Sequence, residues 1–132
     1  MPAIEIYLNK TTYQLIGIDD NEITLTQGED DVKTVQFYFG TGDSIAEFVN
    51  DTSIYLTYGG RVTIERPDEE TSNNVFLTPT SSYFYMTIGE WESYVAGSLK
   101  LQPKLLLSGT YTPFGVATLP IEEAASPSSE TF

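Results

Sequence analysis

Glu90 and Glu92 flank Trp91, and two carboxylates beside a large aromatic ring are what a glycosidase uses to set an acid and a second carboxylate around a sugar. The spacing works against that chemistry. On a helix, residues two apart face in different directions, and on a strand they share a face without an opposing carboxylate to set the required separation. Carboxylates at the start of a short helix, favoured by its dipole and set beside a buried Trp91, account for the same three residues. Tyr83 and Tyr85 form a second grouping. A strand puts both on one face and gives Phe84 and Met86 the other, so with Trp91, Tyr94, Tyr55 and Tyr58 they are candidates for an aromatic contact patch. Core packing claims at least one of those faces.

Acidic residues bunch at Asp19-Asp20-Asn21-Glu22, Glu29-Asp30-Asp31 and Asp68-Glu69-Glu70, where oxygen-rich loops suit calcium. None has the spaced carboxylates and central Gly of a helical calcium loop, and solvated turns explain them as well. Ser98-Leu99-Lys100 lacks an oxyanion signature, and no Lys-Ser or Lys-Thr follows Gly40-Thr41-Gly42 as a phosphate loop requires. Asn9-Lys10-Thr11 and Asn50-Asp51-Thr52 fit the glycosylation pattern, which matters only in a secreted eukaryotic chain.

Composition narrows the choice. The 132 residues include no His and no Cys, and 19 acidic residues face 6 basic ones for a net charge of −13. Without imidazole or thiol there is no His-activated nucleophile, no thiolate or imidazole zinc site, no disulfide and no histidine switch. The expectation is a non-enzymatic module with no cofactor and no metal. A phosphate backbone is repelled by such a charge, and Lys10, Lys33, Arg61, Arg66, Lys100 and Lys104 never cluster in sequence, so nucleic acid is not expected as a partner. No basic amphipathic stretch or long apolar run points to a membrane, and no secretory signal is visible at Met1-Pro2-Ala3-Ile4-Glu5, so synthesis is expected in the cytoplasm.

Positioning falls to strands. Tyr, Phe, Thr, Ile and Val recur in short runs broken by Gly, Asn, Asp and Pro. Ile4, Ile6 and Leu8 alternate with polar neighbours in a first strand. Tyr13 to Ile18 and Glu22 to Thr26 are expected to form a hairpin around Asp19-Asp20-Asn21. Val32 to Phe39 follows, then Ile54 to Tyr58 and Arg61 to Glu65 as a hairpin about Gly59-Gly60. Val75 to Leu77, Tyr83 to Ile88, Lys104 to Tyr111 and Val116 to Ile121 complete the set. Only Gly89 to Ala96 departs, with Trp91, Tyr94 and Val95 at helical spacing and Gly97 placed to close a short helix. Residues 1–121 then make one all-β domain, a two-sheet β-sandwich with a small barrel as the alternative, and residues 122–132 a Ser, Pro, Ala and Glu-rich tail ending in Phe132.

The segment SSYFYMTIGEWESYVAGSLKLQPKLLLSGTYTPFGVATLPIEE, with its aromatic strand at Tyr83 to Ile88, ordered Glu90 to Ala96, long strand Lys104 to Tyr111 and last strand Val116 to Ile121, resembles the second half of an immunoglobulin-like domain of tailed-bacteriophage structural proteins, notably the N-terminal domain of baseplate upper proteins. The resemblance implies an immunoglobulin-like fold, a place in the virion, other virion structural proteins as partners, and a homo-oligomer or larger assembly. Trp91, Tyr83, Tyr85, Tyr94 and Phe132 are the candidate interaction residues. A carbohydrate-binding or adhesin-type sandwich using Trp91 with Tyr83 or Tyr85 is the alternative.

Overall fold

The computed structural model describes residues 3–19, 25–28, 33–42, 59–67, 72–80, 82–89, 91–107 and 109–123. Among them run eleven strands: β1 (Ala3–Asn9), β2 (Leu15–Asp19), β3 (Leu25–Thr26), β4 (Lys33–Gly40), β5 (Gly60–Glu65), β6 (Ser72–Phe76), β7 (Thr78–Pro79), β8 (Phe84–Ile88), β9 (Gly97–Leu107), β10 (Thr110–Pro113) and β11 (Ala117–Glu122). A first sheet runs β2-β1-β4-β8-β7, and a second runs β3-β11-β9-β5-β6 with β10 added on β9.

Period-two alternation fills the space between the sheets. Ile4, Ile6 and Leu8, then Val35, Phe37 and Phe39, then Phe84, Met86 and Ile88 line the inner face of the first sheet, all buried. Val62, Ile64, Leu99, Leu101, Leu105, Ala117, Leu119 and Ile121 answer from the second. An all-β sandwich is therefore the architecture.

Its strand order is not that of an immunoglobulin domain, whose two sheets are antiparallel. Here β1 lies parallel to β4 inside the first sheet, and β11 parallel to β3 at the edge of the second. The expected hairpin of Tyr13 to Ile18 with Glu22 to Thr26 does not form, since β2 pairs with β1 and β3 belongs to the other sheet. An Asn-centred turn makes the real hairpin. Asn9 Oδ1 accepts the Thr11 and Thr12 N–H groups at 2.8 and 3.0 Å, and Tyr13 takes a left-handed φ of 64°. Asn9 is 3% exposed and its Nδ2 donates to the Gly42 carbonyl, so this side chain is a turn device and not a glycan acceptor.

The short helix expected at 89–96 is absent, and the described residues hold no helix. One helical turn starts, with Ser93 N–H donating to Gly89 O, but a single turn is a costly nucleus, and Gly97, at φ 133°, already opens β9. The expected strand Lys104 to Tyr111 is also two elements, because Gly109 at φ 81° returns the chain and β10 pairs back onto β9. β10 and β11 share one edge of β9, since β5 takes the other. The register slips by one residue between Pro113↔Lys104 and Ala117↔Leu101, and Pro103, which has no N–H to give, sits within that bulge.

Ile54 to Tyr58, Asn50, the clusters Glu29-Asp30-Asp31 and Asp68-Glu69-Glu70, most of the Asp19 to Glu22 cluster, Glu90, and the tail from Ala124 to Phe132 lie outside the described residues.

Candidate functional site

Alternation that buries Ile6 and Leu8 must turn Tyr7 outward, and burial of Phe37 and Phe39 does the same to Tyr38. The parallel register sets Tyr7 directly beside Tyr38, and the antiparallel one, with Phe37 opposite Phe84, brings Tyr83 to the other side of Tyr38. Three tyrosines thus form one cross-strand row on the outer face of the first sheet. Tyr7 and Tyr38 stack with centroids 5.2 Å apart and planes at 22°, Tyr38 and Tyr83 lie 5.5 Å apart at 50°, and Tyr85 joins Tyr83 edge-on at 6.3 Å. Such contacts add to area burial and hold the rings in fixed directions.

The next row carries Glu5, Gln36 and Tyr85, matched across the strands. Tyr7 Oη donates to Glu5 Oε1, and Tyr38 Oη donates to Gln36 Oε1 at 2.8 Å. Burial, with the Glu5 carboxylate and then Tyr83 as lesser causes, pushes the Tyr38 phenol up to about 12. A phenol so hard to ionise is a poor general base or nucleophile at neutral pH. What the face offers is half-buried ring area and ordered polar groups. A pyranose needs an open ring face, whereas Tyr7 and Tyr38 turn faces toward each other, so the row is unlike a sugar platform.

Of the candidate residues, Tyr83 and Tyr85 belong to this face, while Tyr7 and Tyr38 carry no local sequence signal and enter it only through strand pairing. Trp91 and Tyr94 gather elsewhere, around Arg66, whose guanidinium carbon lies 4.8 Å from the Trp91 centroid and 5.3 Å from that of Tyr94. Gln27 Nε2 donates to Tyr94 O, and Gly28 N–H to Ser93 O, tying this cluster to the end of β3. Trp91 is exposed, not buried as the helical reading implied. Glu92 Oε1 accepts the Gly89 N–H at 2.8 Å, so one half of the expected carboxylate pair closes a turn. Among the described residues, no group of three or more carboxylates is arranged to hold a metal ion.

No protein-family model matches the sequence, and no curated protein does. Among solved structures the chain is similar to the N-terminal domain of phage TP901-1 ORF48, with a TM-score of 0.58 and 7% identity over 89% of this chain and 96% of that one. At that identity the likeness is one of fold.

Proposed function

We propose that this chain is a non-enzymatic structural module of a tailed-bacteriophage particle, in its tail or baseplate or associated with its head, which docks onto neighbouring virion proteins as part of a larger assembly. The observation that carries the reading is the fold likeness to a phage protein domain across nearly the whole of both chains. The sequence resemblance at Tyr83 to Ile121 points the same way. The outer face of the first sheet is the proposed contact surface. Pre-ordered tyrosines supply contact area at small entropic cost, and their hydroxyls with Glu5 and Gln36 supply polar complementarity. After synthesis in the host cytoplasm the protein would reside in the virion.

Mass spectrometry of purified particles, with immunogold labelling against this chain, tests the reading. Label at one fixed position on the particle is expected. Complete, infectious particles lacking the protein would overturn it.

A further inference from the structure

The molecule's other broad face has a different character. On the outside of the second sheet, Arg61 of β5 lies directly opposite Lys104 of β9, with Phe76 of β6 and Pro113 of β10 completing the row. Like charges placed opposite one another destabilise a sheet, yet this row holds two cations in a chain whose net charge is −13. The adjoining row, Asn74, Thr63 and Gln102, is uncharged, and the nearest carboxylate in register, Glu65, faces Lys100 one row further on. Among the described residues, no carboxylate pairs with Arg61 or Lys104.

Arg61 is also held ready. Its guanidinium carbon sits 4.5 Å from the Phe76 centroid and 5.4 Å from that of Tyr111, and Nη2 donates to the Asn74 carbonyl at 3.3 Å. Nε is buried without a partner among the described residues, so an incoming group meets the outer end of the guanidinium and not Nε. A planar fork immobilised between two rings suits a carboxylate, and Phe76, 70% exposed, adds an apolar contact beside it.

We infer that the Arg61, Lys104 and Phe76 corner docks an acidic segment of a different protein, one that sets carboxylates against the two cations and an apolar side chain against Phe76. A second copy of this chain fits less well, because two bodies at −13 repel each other. Nucleic acid fits less well too, since a long polyanion extends past the corner over a chain whose net charge is −13, whereas a short peptide ends within about one Debye length, ~8 Å at physiological salt. This face lies across the sandwich from the tyrosine row, and the inference does not depend on a place in the virion.

Nuclear magnetic resonance titration of the full chain is the test, with a short blocked peptide of glutamates around one phenylalanine as probe. A thymidine oligonucleotide of equal charge serves as comparator. Peptide shifts confined to β5, β6, β10 and the adjoining part of β9 are expected, fading as salt rises. Arg61→Gln with Lys104→Gln should weaken binding about tenfold or more while the spectrum keeps its native dispersion. Phe76→Ser, at an exposed position, should weaken binding with the cations intact. The inference fails if the double variant binds the peptide unchanged, if the shifts fall on the tyrosine face, or if the oligonucleotide binds this corner more tightly. Self-association of the chain that the double variant abolishes would also overturn it, in favour of a second copy.

Discussion

Tyr38 joins the chemistry of the tyrosine face to the stability of the fold. Its phenol is raised from 10.0 to about 12 in the folded chain. Below pH 10 it is neutral whether the chain is folded or not, so the full benefit of its native environment is present. As pH climbs from 10 toward 12 the unfolded chain gives up this proton and the folded one resists, so stability is lost across that window. Urea midpoints measured from pH 7 to 12 should fall above pH 10, and Tyr38→Phe should fall less over the same range. The variant should also lose about 1 kcal/mol at neutral pH with the bond to Gln36. Gly115 is sensitive for a different reason. A Cβ there would stand 2.8 Å from the Leu15 backbone nitrogen and 3.0 Å from its Cβ, where the bulge between β10 and β11 packs on β2. Backbone cannot yield as a side chain does, so Gly115→Ala should cost about 1–3 kcal/mol in urea unfolding. Nothing in the local sequence announces that contact. Tyr83 and Tyr85 are legible as a pair from strand period alone, but Tyr7 and Tyr38 meet only through a parallel pairing between distant segments.

Among the described residues, strand β6 ends the second sheet and should be open to pairing with another chain. Gly60 O accepts the Leu77 N–H, so the ladder's alternation turns the N–H and C=O of Asn74 away from β5, toward the free edge. Both groups are covered by side chains. Asn73 Oδ1 accepts the Asn74 N–H at 3.0 Å, and Arg61 Nη2 reaches over Phe76 to the Asn74 carbonyl. Asn73→Ala with Arg61→Ala should therefore leave a folded monomer with a bare edge, seen as growing light scattering and thioflavin binding over time. A solution as clear as the parent's would show that these contacts do not guard the edge. Strands themselves are well marked in the sequence, since β1, β4, β5, β8 and β11 all alternate cleanly between buried and outward residues. Connections are less so. Asn9-Lys10-Thr11 reads as a modification site when its work is an Asn-centred turn, and Gly109 is easily passed over beside a long apolar run. The single turn at Gly89 to Ser93 shows why Trp91, Tyr94 and Val95 misled: helical spacing over so few residues cannot overcome nucleation.

At the scale of the whole molecule, the all-β class and the two-layer core follow from composition and period, whereas the sheet order depends on two parallel pairings that join segments far apart in the chain. Local patterning cannot specify those, because a strand's alternation says which face is buried and not which neighbour it meets. Charge is the global property that the sequence states outright. At −13, a compact chain repels itself, and added salt should relieve this once the screening length, about 10 Å at 0.1 M, falls below the molecule's own dimensions. The thermal midpoint should rise as sodium chloride increases from ~0.01 to ~0.2 M, a range over which that screening length shortens severalfold. Divalent ions then separate screening from site binding. If Asp19 to Glu22, Glu29 to Asp31 and Asp68 to Glu70 are solvated turns, calcium and magnesium at matched concentration should raise the midpoint equally. A site with the six to eight oxygens that calcium takes would favour calcium, adding stabilisation that grows with the logarithm of its concentration. A calcium-specific rise that magnesium does not reproduce would mark one of these clusters as a binding loop, and charge-to-amide substitutions in each cluster in turn would identify which.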